Sequence, residues 1–286
     1  MTDIDVMQAN VAAVAADDEF AAPTRTLWQR SEAMVLGTGG VLALLVAWEV
    51  LPHIVKISEG TKLFFTTPSQ VVGTLWNMFA TGTVWTPLAV SASGFALGLG
   101  IAIMIGIPLG VVIGRSATLN AMFDPFITAF NATPRLVFLP LVMLWFGLGL
   151  EAKVVIVVIG AMFPLLINTY EGVRNADKVL INVVRSFGAN EWDIARLVVL
   201  PNSLPYIVSG LRLAIGRAVL GVVVAEFFGS EEGVGVMMVK AAGRYQVDVV
   251  FSGLIIFTVL SLLMTGLVKI GEDRLTRWRP QHASEF

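Results

Sequence analysis

Long apolar runs separated by short polar segments dominate the pattern of this chain. A bilayer core about 30 Å thick is crossed by about 20 mostly apolar residues in a helix. Six stretches meet or approach that length: 33–51, 86–113, 122–148, 154–170, 204–228 and 250–270. The third is interrupted by Asp124, Asn131, Pro134 and Arg135. It predicts a helix broken or kinked near Thr133-Pro134, because proline lacks a donor and disfavours helix at the residue before it. Between the first two stretches, Thr67-Pro68-Ser69 marks a helix start with proline in the first turn. Val71, Val72, Leu75, Trp76 and Phe79 follow at helical spacing. They predict a short helix that lies at the outer membrane interface or packs on the chain's own spans.

Within the second stretch, small residues recur every four positions at Gly94, Gly98, Ala102, Gly106, Gly110 and Gly114. Such a row lines one face of a helix and lets another backbone come close. The fifth stretch carries two similar rows, Gly210, Ala214 and Ala218, then Gly221, Ala225 and Gly229. Tight packing is expected, with the partner either in the same chain or in a second copy.

Composition agrees with a lipid-facing surface. Of 286 residues, 56% are hydrophobic and only 14% charged, and the mean hydropathy is +0.79. A soluble domain has about a quarter of its residues charged, so there is too little polar surface here to cover a water-soluble globule. The expected fold is an all-α polytopic membrane protein with six transmembrane helices. Orientation follows from lysine and arginine in the loops. With the N-terminus inside, the cytoplasmic segments hold Arg25, Arg30, Arg115, Arg174, Lys178, Arg185, Arg196, Lys269, Arg274, Arg277 and Arg279. The opposite side holds only Lys56, Lys62, Lys153, Lys240 and Arg244. Both termini are therefore expected in the cytoplasm. Residues 1–30, with Asp3, Asp5, Asp17, Asp18 and Glu19, form an acidic tail unlike a secretory signal, which begins with basic residues. The expected organisation is this tail, a first helix and interfacial helix over 31–84, a core over 85–271, and a C-terminal tail over 272–286.

Little in the chain points to chemistry. With no cysteine, disulfides, thiolate metal sites and cysteine nucleophiles are excluded. His53 and His282 are far apart and have no ligand cluster around them. No Gly-x-x-x-x-Gly-Lys-Ser/Thr loop is present to cradle nucleotide phosphates, and no His-Glu-x-x-His occurs. No cofactor, metal or nucleic acid is expected. Of the charged residues within predicted spans, Arg135, Arg212, Arg217 and Glu226 are the ones expected to matter inside the membrane. Burying such groups costs roughly 2.5–3.5 kcal/mol on insertion scales, so they face a cavity or a partner. Arg212, near the cytoplasmic end, reads as a residue that snorkels or ties its helix to the loop. Arg217 lies deeper and serves an anion path or pairs with Glu226 or a backbone carbonyl. Arg135, at the Pro134 break, is a gate or a structural anchor.

The segment 171–201 is the longest predicted cytoplasmic loop. Gly188 is a natural helix terminator, and Asn190 followed by Glu191 and Asp193 is a natural start for the next helix. The expectation is a helix, a break, then a short helix closed by Pro201. Trp192, Ile194 and Ala195 on that short helix suit docking into a groove of another protein. The spacing of Gly188, Val198 and Leu200-Pro201 resembles the EAA loop of ABC-importer permeases, although Asn182-Val183-Val184 stands where that motif has Glu-Ala-Ala. The runs 140–147, 163–169, 210–218 and 225–229 are similar to the nitrate, sulfonate and taurine branch of that family.

The resemblance implies a type I ABC-importer, MetI-like permease fold and transport rather than catalysis. Its implied coupling loop to the ATPase includes Arg185, Gly188, Ala189, Glu191, Trp192, Ala195, Leu200 and Pro201. It also implies two ATP-binding subunits, a second permease copy forming a homodimer, and a periplasmic solute-binding protein. The setting it implies is the bacterial inner membrane and the cargo a small anionic or polar solute; the cost of burying charge makes Arg135, Arg217 and Glu226 the candidates for the path or gate. An ion-coupled secondary transporter is the rival reading, since such proteins also use helices broken by glycine and proline. It leaves the spacing from Gly188 to Pro201 unexplained.

Overall fold

The computed structural model describes residues 27–54 and 64–275. The N-terminal tail before residue 27, Lys56, Lys62 and the C-terminal residues from 276 onward lie outside the described residues, as does the side chain of Arg135. The chain divides into two units, 1–57 and 58–286. The first contains α1 (Leu27–Ile54), whose window Val35–Pro52 is long and apolar enough to cross a membrane.

The second unit opens with α2 (Pro68–Ala80), set by a complete capping box. The Thr67 hydroxyl accepts from the Gln70 N–H, and the Gln70 side chain accepts from the Thr67 N–H, so two otherwise orphaned donors are satisfied. Val71 and Met78 are buried, while Val72 and Trp76 stay exposed. Thr74 donates to Asp248 at 2.5 Å, which pins α2 to α11 (Val247–Leu275). The helix thus packs on the chain's own spans and also presents an apolar outer face.

The second span is α3 (Trp85–Arg115). The third is broken where the sequence places Pro134. It consists of α4 (Ala117–Ala132), a 3-10 turn (Arg135–Phe138) and α5 (Leu139–Phe146). Thr133 is extended, with ψ 129°, the conformation that a following proline imposes. Phe130 stacks on Phe163 at 5.9 Å and so holds the broken segment to the fourth span.

The fourth span, α6 (Leu150–Arg174), lies between α3 and α9 (Leu200–Gly229). It answers what the glycine rows pack against: the partner is within the chain. A Cβ on Gly98 would meet Val157 at 2.5 Å, and one on Gly110 would meet Thr169 at 2.6 Å and the Leu166 carbonyl at 2.8 Å. The register holds without slip from Gly94 beside Lys153 to Gly114 beside Val173, so α3 and α6 run in the same direction. On the other side, Gly160 approaches the Arg217 carbonyl, and Gly221 approaches the Val157 backbone. Gly210 faces Asn168, so α9 runs opposite to α6. Val157, Ala161, Leu165, Ala214, Ala218 and Val222 fill the resulting core. The short α10 (Val234–Ala242) then leads into α11. Among the described residues, five helices are long and apolar enough to cross a membrane, and the broken third stretch adds a sixth apolar segment.

Candidate functional site

The segment 171–201 folds largely from its local signals. Asp177 caps α7 (Lys178–Ser186), accepting from Val179 N–H at 2.7 Å. Gly188 takes φ +83°, the left-handed conformation that ends the helix. Asn190 then caps α8 (Glu191–Ile194), accepting from the N–H groups of Trp192 and Asp193 at 2.9 Å each. Asp193 completes the box by accepting from the Asn190 N–H.

Two expectations are corrected here. Pro201 does not close the short helix, because it sits in the first turn of α9. A π turn (Ala195–Val199) joins α8 to α9, and the Leu200 N–H donates to the Ala195 carbonyl. Widening the turn just before a residue that lacks its own donor and crowds the preceding carbonyl lets the helix continue. The helical path therefore runs unbroken from Glu191 to Gly229. The second correction concerns which side chains face outward. Ile194 and Ala195 are 3% and 4% exposed, and Ile194 packs with Val173, Ala176 and Val199. The aromatic residues available for docking are Trp192, 70% exposed, and Phe187, 87% exposed, the latter not singled out by the sequence. Glu191 links the segment to two other elements. It accepts from Arg115 at 3.0 Å, at the end of α3, and from Arg185 at 3.1 Å, at the end of α7.

At the other end of the core lies a polar cluster that the sequence did not reveal. Lys153, assigned to an outer loop, is in the first turn of α6 and has no exposed surface. Its ammonium donates to Glu226 at 2.6 Å and to the Glu232 carbonyl at 3.2 Å. Ser91 of α3 donates to the same Glu226 oxygen at 2.7 Å and accepts from Val234 N–H at 2.9 Å. The other carboxylate oxygen accepts from Gly235 N–H at 2.7 Å. Four segments meet on this one carboxylate, and in this conformation Glu226 is enclosed rather than open to a path. Gly233, at φ +139°, is required beside it, since a Cβ there would fall 2.2 Å from the carboxylate.

Arg217 is placed differently. Its neighbours Ala214 and Ala218 are buried against α6, whereas Arg217 shares an exposed face of α9 with Leu213, Gly216 and Leu220. Among the described residues it makes no hydrogen bond or ion pair, so Glu226 is not its partner. Arg212, one turn nearer the loop, pairs with Glu272 and ties α9 to the last turns of α11.

The helices of the second unit, with a structured loop between the fourth and fifth apolar stretches, match a known family. Residues 106–277 fit the model of the binding-protein-dependent transport system inner membrane component. The chain belongs to this family. The permease is 31% identical to the taurine transport system permease protein TauC of Escherichia coli, covering 88% of this chain and 92% of that one. It is 35% identical to the putative aliphatic sulfonates transport permease protein SsuC of Bacillus subtilis, covering 82% and 84%. Both relatives are named as transport permease proteins, and nothing in these matches favours the ion-coupled reading. Among solved structures, the permease shares its fold with the MetNI methionine ABC transporter in inward-facing conformations, at a TM-score of 0.57 and 20% identity, covering 77% of this chain and all of that one. An amino acid ABC transporter gives the same TM-score at 17% identity, over 73% of this chain and all of that one. The MetI-like importer fold expected from the sequence is the fold observed, and the permease is a multi-pass inner-membrane transport subunit.

Proposed function

We propose that the permease forms half of the translocation path for a small organic anion of the sulfonate or taurine class. In this reading both termini are cytoplasmic and a second copy completes the path. Two ATP-binding subunits dock on the 171–201 segments, and a periplasmic binding protein delivers the solute from the opposite side. The observation that carries the proposal is the unbroken helical path joining exposed Trp192 to Arg217, which has no partner among the described residues. The two are 25 residues apart, about 38 Å at 1.5 Å per residue. An arginine left without a partner at that depth is costly unless it faces protein or a wet path, and a sulfonate oxyanion matches its planar donor fork. Movement of docked ATPase subunits would reach the path through one rod, without an intervening hinge loop. Two arrangements of that rod with different affinity for solute are the minimum such a device requires.

The test is reconstitution in proteoliposomes with an ATPase subunit and a sulfonate-binding protein. ATP-dependent uptake of taurine or an alkanesulfonate is expected. Uptake driven by a proton or sodium gradient without ATP would overturn the reading.

A further inference from the structure

Beside the coupling segment lies a cavity of about 520 Å³ whose lining includes Arg115, Arg174, Lys178 and Arg185, with Glu191 as its one carboxylate. Glu191 is already shared between Arg115 and Arg185. Arg174 and Lys178 make no hydrogen bond or ion pair among the described residues. Asn120 lines the same cavity, and its side-chain oxygen is enclosed without a hydrogen-bond partner. Four cations around one carboxylate leave a concave site with excess positive charge and an unused acceptor.

We propose that this cavity binds a phosphate-type oxyanion, either the phosphodiester of an anionic, glycerol-headed phospholipid or a free phosphate. Arginine forks chelate such oxygens bidentately, and lysine adds a point charge. A headgroup hydroxyl would donate to the Asn120 oxygen, which can only accept. Depth supports the lipid source. Arg115 and Arg174 end two membrane-crossing helices, where headgroups lie, and basic pockets between such helices on the cytoplasmic side hold anionic headgroups. An oxyanion there competes with Glu191 for Arg115 and Arg185, so occupancy affects how the coupling segment is held.

The cytoplasmic placement rests on the proposed function, but the test does not, because it needs neither ATPase nor transport. The purified full chain in detergent is offered phosphatidylglycerol or phosphatidylcholine, and retained lipid is counted by native mass spectrometry. In the Arg174→Gln/Lys178→Gln variant, phosphatidylglycerol retention is expected to fall roughly tenfold or more, with phosphatidylcholine unchanged. The Lys269→Gln/Arg274→Gln control, on exposed positions of α11 outside the cavity, is expected to match the wild type. In a second arm, inorganic phosphate is added to the chain in phosphatidylcholine nanodiscs. A rise in melting temperature that the Arg174→Gln/Lys178→Gln variant lacks would assign the site to the free anion. An equal fall in the control, or no response in either arm, would overturn the proposal.

Discussion

Lys153 Nζ lies 2.6 Å from Glu226 Oε1 with both side chains fully enclosed, and the pair joins the fourth span to the fifth. The bond is surrounded by further donors, from Ser91 and the Gly235 N–H, so the carboxylate is satisfied on both oxygens. Breaking such a pair leaves one uncompensated buried charge, at a cost of about 3–5 kcal/mol. Lys153→Met is therefore expected to lower the melting temperature of the purified permease sharply. Adding Glu226→Gln to Lys153→Met is expected to recover much of the loss, since Gln still accepts from Gly235 without a charge. Melting curves of the single and double variants check this, and a double variant no better than Lys153→Met would show that charge is not the cause.

The glycine row provides a contrast within one helix. A Cβ at position 110 would press on the Leu166 carbonyl, whereas one at Gly100 meets nothing within 4 Å. Gly110→Ala is expected to cost about 1–3 kcal/mol, the usual range for overpacking. Gly100→Ala is expected to be neutral or slightly stabilising through helix propensity. Thermal unfolding in one detergent compares the two directly.

Burial separates two roles within the coupling segment. Trp192→Ala and Phe187→Asp alter exposed side chains and are expected to leave the permease folded while weakening ATPase-subunit binding or uncoupling hydrolysis from uptake. Ala195→Asp buries an unpaired carboxylate against the permease's own core and is expected to destabilise the chain itself. Co-purification with the ATPase subunit, alongside the melting temperature of the isolated permease, distinguishes these outcomes.

Arg217 is the residue on which solute charge is expected to register. Arg217→Gln should insert, assemble and hydrolyse ATP, yet take up an anionic sulfonate roughly tenfold more slowly, equivalent to about 1.4 kcal/mol. Arg217→Lys should recover part of the loss, as it keeps the charge but not the fork. Uptake unchanged in Arg217→Gln would remove this residue from the path, and loss of assembly would make it structural.

What the sequence determined by itself is mostly local. The break at Pro134, the caps at Thr67 and Asn190 and the left-handed turn at Gly188 depend on a few neighbouring residues, and each stands where the sequence places it. The apolar runs likewise define the crossings, because a bilayer demands length and hydropathy before it demands any partner. The tertiary structure decided everything that depends on which faces meet. A four-residue row of small side chains offers a groove without saying what fills it, and only packing shows that α6 does. Lys153 near the start of an apolar run looks like an outer-loop charge until Glu226 and Ser91 close around it from other helices. Ile194 and Ala195 turn inward while Trp192 turns outward, because the π turn before Pro201 sets the rotation of the segment on the core. A single residue's addition to a helical turn rotates the faces that flank it, and that rotation is resolved only by the contacts it must satisfy.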